Sequence, residues 1–323
     1  MISLSVDLLG ADTDERELCR GAIEAMKKDP DLFLYLCGHA DALAPLLAEH
    51  PELAGHYALV DSPAALTNYD NPMEGYKNAD ASMVKAMTLV RDGSASGVVT
   101  CGATGEVLVS SIMLLGKLKG LRPILAVELK NAHGDPLLLL DCGANIDSRP
   151  ELYVSFAHLG DAYMKSIGYP SPRISLLSNG AEDTKGCEAV KEANKLLHAL
   201  PICFEGNIEP TAALSGKTDV IVCDGFHGNI LLKSIEGVAK AVIAEIGEKL
   251  PDASPEVRAA LAEVRQKYDY NTQGGAILLG VKAPVMKGHG SATGDAVTAM
   301  LARMAALCQG GFIERVQSAC CGG

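Results

Sequence analysis

Two periodicities divide the chain. Short apolar, β-favouring runs at residues 2–6, 32–37, 57–60, 98–100, 124–127, 137–141, 173–177, 202–204, 220–223, 276–279 and 284–286 predict strands. Between them, apolar residues three and four apart predict helices over 15–28, 40–49, 81–91, 107–119, 150–167, 188–197, 230–246, 255–268 and 293–307. Asp80 is the expected cap of the third of these helices, and Pro150 the first-turn residue of the fifth. Residues 61–78, which include Pro63, Asn68, Asn71 and Pro72, predict a loop. Runs such as Val220-Ile221-Val222-Cys223 are apolar at every position rather than at alternate ones, so both faces of the strand must be covered, as in a parallel sheet. Alternating strands and helices joined by short loops therefore predict an α/β fold, with a mainly parallel, doubly wound sheet between helix layers.

A chain of 323 residues can bury a large core, as one α/β domain over 1–323 or as two interlocked lobes. With 48% hydrophobic and 21% charged residues, disorder is not expected. The net charge of −12 leaves no excess of Lys and Arg to displace counterions, which argues against nucleic-acid binding; so do 4% aromatic residues and the absence of Trp. The ten cysteines sit mostly in apolar runs and include no pair with zinc spacing, as expected of a reduced, cytoplasmic protein with no metal centre. There is no basic-then-apolar leader at the N-terminus, and no apolar run approaches the roughly 18 residues of a spanning helix.

The informative positions are the strand ends. Residues 7–12, 100–105, 141–145, 179–186, 224–229 and 287–291 share one composition: small or glycine-rich, with one or two polar groups. A single such loop merely turns the chain. Six of them at the carboxyl ends of parallel strands line an edge where ligands bind. Backbone N–H groups, helix starts, Lys185, Lys287 and His289 suit an anion such as phosphate. Neither Gly-x-Gly-x-x-Gly after the first strand nor a Walker A sequence occurs, so nucleotide binding is unsupported, and Gly-x-Ser-x-Gly is absent as well. Cys101 precedes a helix, which would favour a thiolate, although a core cysteine is the commoner outcome.

In order and spacing these segments resemble the bacterial phosphate acyltransferase family from Ser5 to about Met300. VDLLGAD at 6–12 stands for Val-Asp-Ala-Met-Gly-Gly-Asp, and LLDCGANID at 139–147 for Leu-Leu-Asp-x-Gly-Ala-Asn-x-Asp. Glu-x-x-Lys-Gly is 182–186, Gly-Asn-x-Glu is 206–209, and Asp-Gly-Phe-Thr-Gly-Asn becomes DGFHGN at 224–229. Gln273 to Ala276, Leu278 to Gly280 and Lys287 to Ser291 complete the match. The chain departs from the family where Ser-Ala-Gly-Asn-Thr-Gly-Ala is TCGATGE at 100–106, where a basic run is reduced to Lys77-Asn78-Ala79, and in a shortened, acidic helical segment at 250–268.

The resemblance implies an isocitrate/isopropylmalate-dehydrogenase-like, phosphotransacetylase-like α/β/α fold. It implies transfer of a fatty acyl group from acyl-acyl-carrier protein to inorganic phosphate, giving acyl-phosphate for phospholipid synthesis without cofactor or metal. Phosphate would be its own nucleophile, and the protein's part would be positioning and oxyanion stabilisation. Carried onto this chain, the catalytic set is Lys185, His289, Lys287 and Asp224. The substrate-binding set is Asp7, Gly10, Asp12, Gly102, Thr104, Gly105, Asn145, Glu182, Glu209, Gly225, Gly228, Asn229 and Ser291, with backbone donors at 102–105 and 225–229. A protruding helical arm at 230–268 is the expected homodimer surface. Arg258, Arg265 and Lys267 there are balanced by Asp252, Glu256 and Glu263, so only weak peripheral membrane contact is expected. Two alternatives stand beside this reading: an acyl relay through Cys101 or Cys320/Cys321, and a non-catalytic subunit that binds acyl-carrier protein.

Overall fold

The computed structural model describes residues 1–67, 69–269 and 274–321, without the side chains of 317 and 319–321; Asn68 and Gln273 lie outside the described residues. The elements in chain order are β1 (Ile2–Asp7), α1 (Glu15–Lys28), β2 (Leu32–Gly38), α2 (Ala40–Ala48), β3 (Tyr57–Asp61), α3 (Pro72–Gly75), α4 (Ser82–Arg91), β4 (Gly97–Thr100), α5 (Thr104–Ser110), β5 (Ile124–Lys130), β6 (Pro136–Leu140) and α6 (Pro150–Ser166). They continue with β7 (Arg173–Leu177), α7 (Glu188–His198), β8 (Cys203–Ile208), β9 (Val220–Val222), α8 (Gly225–Lys249), α9 (Pro255–Tyr268), β10 (Ala276–Leu279), β11 (Val285–Lys287), α10 (Gly294–Gln309) and α11 (Phe312–Cys321). The chain divides into two compact units, one formed by 1–123, 166–168 and 274–323, the other by 124–165 and 169–273.

In the first unit the strands lie in the order β3-β2-β1-β4-β11-β10. All neighbours are parallel except β10 and β11, which a turn at 280–284 joins antiparallel. Consecutive positions on β1 (Leu4, Ser5, Val6, Asp7) are all buried, so both faces are covered. Ser5 reaches one covering helix, its hydroxyl donating to the Ala86 carbonyl of α4 at 2.8 Å. The order turns about β1: the chain goes outward through β2 and β3, then returns to place β4 on the other side. The loops after β1 and β4 therefore flank a topological switch point, the usual ligand edge of such a sheet.

The second unit has the order β5-β6-β9-β7-β8, parallel except for β5 against β6. That exception is dictated by chain length. Asn131 N–H donates to the Asp135 carbonyl and Gly134 adopts φ +93°, a tight turn that can join only antiparallel strands. Helix α6 lies close on β9, where a Cβ at Gly160 would stand 2.6 Å from Val220 Cγ1. The loops after β6, β7 and β9 leave this sheet at one edge.

The structure departs from the sequence reading at several boundaries. The loop expected over 61–78 contains α3, started by Asn71, whose side chain accepts from Met73 N–H. Ala81, not Asp80, caps α4, with no side-chain cap bond. The helix expected over 107–119 begins earlier, as α5, passes into a π-helical turn at Ser111–Leu115 and stops at Gly116, φ +83°. Residues 224–229 are the start of α8 rather than a loop, because Asp224 caps that helix. Helix α11 was not expected. No helix among the described residues is long and apolar enough to cross a membrane.

Candidate active site

At the strand edge of the first unit, Asp7 organises the switch point. Its buried carboxylate accepts from Ser82 Oγ at 2.5 Å, Thr100 Oγ1 at 2.6 Å and the N–H groups of Leu9 and Gly10, each at 3.2 Å. Burial raises its pKa, and the hydrogen bonds oppose the rise. Space is tight here: a Cβ at Gly10 would stand 2.5 Å from Asp7 Oδ2 and 3.0 Å from Gly102 Cα. Thr100 Oγ1 also accepts from Gly102 N–H at 3.0 Å, so that donor is engaged. Thr104 and Gly105 lie exposed in the first turn of α5, which has no side-chain cap. Asp12 is bound back to the 287–291 loop, its N–H donating to the Gly290 carbonyl at 2.8 Å.

That loop carries two of the expected cations. Lys287 Nζ donates to the Gly288 carbonyl at 2.8 Å, and burial lowers its pKa. His289 is exposed, and its Nδ1 accepts from Ser291 N–H at 3.2 Å, which leaves the ring proton of a neutral His289 on Nε2 as a donor to solvent or ligand. Cys101 is 2% exposed, and burial pushes its thiol up to about 12, the opposite of what a reactive thiolate needs. The side chains of Cys320 and Cys321 lie outside the described residues.

In the second unit, Asp141 and Asp224 play corresponding parts. Asp141 accepts from the N–H groups of Leu125, Gly143, Ala144 and Asn145 and from Asn145 Nδ2, winding 141–145 into a compact turn; burial raises its pKa. Helix α8 starts against that turn. Gly225 N–H donates to the Asn145 carbonyl at 2.7 Å, and a Cβ at Gly228 would stand 2.0 Å from the Asp141 carbonyl oxygen. The glycines of DGFHGN are there for this close approach rather than to turn the chain. Asp224 Oδ1 accepts from Phe226 N–H at 3.0 Å and His227 N–H at 2.8 Å, and its carbonyl from Gly228 N–H. The backbone donors expected to be free for a ligand from 225 to 228 are therefore engaged, and Asn229 is half-buried on α8.

A cleft of about 540 Å³ opens beside this helix start. Asn179, Gly186, Cys187, Tyr153, Asp224 and His227 line its polar end. Of the residues expected from sequence, Asp224 lines the cleft, together with Asn179 and Gly186 of the 179–186 loop. Lys185, Glu182 and Glu209 are exposed and do not line it. The stem of Lys185 packs over Gly180, where a Cβ would stand 2.6 Å from Lys185 Cγ, and its ammonium has no ion pair among the described residues. The 179–186 loop is held by Gly186 N–H donating to Asn179 Oδ1 and by Asn207 Nδ2 donating to the Glu182 carbonyl, each at 2.8 Å. Sequence reasoning missed Tyr153, Cys187 and His227. Tyr153 reads as one more apolar position of α6 and carries no local signal. His227 stood in plain view as the odd residue of DGFHGN. Among the described residues no cluster of three His, Cys, Asp or Glu side chains could hold a metal ion.

The α/β fold is similar to that of solved phosphotransacetylases. A phosphotransacetylase from Streptococcus pyogenes superposes with TM-score 0.62 at 18% identity, covering 97% of this chain and 94% of that one. A 4-hydroxythreonine-4-phosphate dehydrogenase from Klebsiella pneumoniae superposes with TM-score 0.56 at 13% identity, covering 96% and 99%. The profile of the family described as "Fatty acid synthesis protein" matches residues 2–315, and the chain belongs to that family. A relative from Shouchella clausii named phosphate acyltransferase is 36% identical over 303 residues, 91% of each chain. The chain is an acyltransferase.

The departure at 100–106 has a measurable consequence. Glu106 is 2% exposed, and its Oε2 has no hydrogen-bond partner. Burial raises its pKa, with the charge of Asp70 adding to the rise. A native pKa above the unfolded value means that the native state keeps this proton longer as pH rises. The contribution to stability is full at acid pH and is lost from the ordinary glutamate range upward through the raised native value. Glu106→Gln should therefore match the parent in denaturant unfolding at about pH 4. At pH 8 it should be more stable than the parent, because only the glutamate must ionise in its buried setting there. Equal stability at pH 8 would show that this carboxyl is solvated.

Proposed function

We propose that the chain transfers a fatty acyl group from the thioester of an acyl-carrier protein to inorganic phosphate, giving acyl-phosphate. A phosphate oxygen attacks the thioester carbonyl directly, and the thiolate leaves. The observation that carries the fatty-acyl part is a second cavity, of about 640 Å³, which shares Pro210, Leu231 and Ser234 with the cleft of Asp224 and His227. Apart from Thr211, the rest of its lining is apolar or aromatic, with Leu214, Ile235, Val238, Val242 and Tyr268 among the residues that form it. A cleft with one polar end that runs into an apolar groove suits a thioester head followed by a hydrocarbon tail. The family's description and the relatives' name support the reaction class. Lys185, exposed next to Gly186 of the cleft wall, neutralises phosphate or the oxyanion, and Asn145 and Asp224 orient the loops of the second unit.

The direct assay is capture of acyl-phosphate by hydroxylamine, expected only when both phosphate and the long-chain thioester are supplied. An acyl group that appears on a cysteine of the protein without phosphate would refute the reading in favour of a thiol relay. Lys185→Ala should lower the rate about a hundredfold, as for loss of one oxyanion-type contact. It should change stability by less than about 0.5 kcal/mol, because the side chain is exposed. Full activity in that variant would remove Lys185 from the site.

The groove makes a separate prediction. Each methylene buried there contributes about 0.8 kcal/mol, so long-chain donors should bind progressively better than short ones. Ile235→Asp should raise KM for a long-chain donor and leave a short-chain donor unaffected. Equal effects on both would place the tail elsewhere.

The same arm is the proposed homodimer surface. Val238, Val242 and Ile246 recur every fourth residue along α8 and are 63%, 48% and 36% exposed, and α9 buries no residue at all. A second copy seated on this stripe would close the groove along its Val238 and Val242 rim. Sedimentation should give a dimer at micromolar concentration; a monomer there would contradict the proposal.

A further inference from the structure

Asp224, Tyr153 and His227 form a connected set whose geometry exceeds what capping a helix requires. Asp224 Oδ1 is occupied by the N–H groups of Phe226 and His227. Its Oδ2 lies 3.2 Å from Tyr153 Oη, which donates to it, and 2.6 Å from His227 Nδ1. Tyr153 is buried, and burial together with the adjacent Asp224 charge raises its pKa, so it stays a donor. With the carboxylate accepting on both oxygens, the proton of the short contact belongs to Nδ1 of the histidine. A neutral His227 then presents Nε2 as a bare acceptor. The ring is further set by Phe226, edge to face at a centroid distance of 5.5 Å. Its side chain is 61% exposed and lines the same cleft as Asn179 and Gly186, so Nε2 is within reach of a bound ligand. Orienting carboxylate, fixed tautomer and free ring nitrogen are the requirements of a proton carrier.

Resting on the acyl-transfer reading above, we propose that His227 carries the proton that must pass from phosphate to the departing sulfur, with Asp224 as its positioning residue. One oxygen of the monohydrogen phosphate dianion forms the new bond to the thioester carbonyl carbon. The carbon–sulfur bond breaks, and its electron pair leaves with sulfur. Nε2 takes the P–OH proton and delivers it to that sulfur. The products are one acyl-phosphate and one free thiol, and His227 ends as it began. The proton has to move in any case, because the attacking phosphate carries it and a thiol of pKa about 8.5 holds it at neutral pH.

The test measures hydroxylamine-trapped acyl-phosphate with the full-length parent, His227→Ala and His227→Gln. Thermal unfolding of the three should agree, because the ring is largely exposed. Both variants should lose about a hundredfold in kcat, the low end of what a general acid–base group supplies. Imidazole added to the buffer should restore His227→Ala saturably and leave His227→Gln slow, since only the alanine variant leaves room for it. Parental rates in His227→Ala, or a loss that imidazole does not restore, would overturn the proton-carrying role while leaving the acyl-transfer reading intact. Absence of acyl-phosphate from the parent protein would remove both.

Discussion

The carboxylate of Asp224 is the constraint on which the second unit depends. It sits at the N-terminus of a 25-residue helix, where unpaired N–H groups and the helix dipole favour negative charge. Capping of this kind contributes about 1 kcal/mol. The same oxygens also hold Tyr153 of α6 and the ring of His227, so one group ties two helices and a cleft wall together. The close seat of Gly225 and Gly228 on the 141–145 turn leaves α8 little freedom to shift. Helix start, cleft and groove are consequently one construction: the residues that end β9 place the polar head of the cleft, and the next turns of α8 supply its apolar continuation.

Much of the fold was legible from residue pattern. Continuous apolar runs marked the buried parallel strands, and the helical spacing between them marked all the long helices. The failures are local: side chains and backbone within a few residues decided what composition could not. DGFHGN has the composition of a turn, yet Asp224 captures two N–H groups and makes it helix. The 107–119 segment reads as one regular helix, yet it passes through a π-helical turn and ends at Gly116. The antiparallel setting of β5 follows from turn length and could have been inferred from the few residues between it and β6.

The site was legible to a lesser degree. Motif order led to the strand-edge loops, where Asp7, Asp141 and Asp224 accept the loops' own N–H groups. What the motifs could not convey is which of their members face a cavity. Lys185, Glu182 and Glu209 are exposed beside the cleft, whereas Tyr153 and His227 line it. The backbone donors from 225 to 228 are used by the protein itself. Tyr153 comes from a helix more than seventy residues earlier in the chain, and only the folded structure brings it to Asp224. Cys101, which precedes a helix in the sequence, is buried, and burial raises its thiol pKa.

The central claim is that a fatty acyl thioester places its head beside Asp224 and His227 and its tail along α8. A crystal structure with a non-hydrolysable long-chain acyl thioester analogue tests this most directly. The account predicts the thioester head in the cleft, with a bound phosphate and the sulfur position within reach of His227 Nε2, and the hydrocarbon chain running past Pro210 and Leu231 to Ile235. A tail bound anywhere else, with the groove along α8 left unoccupied, would contradict it.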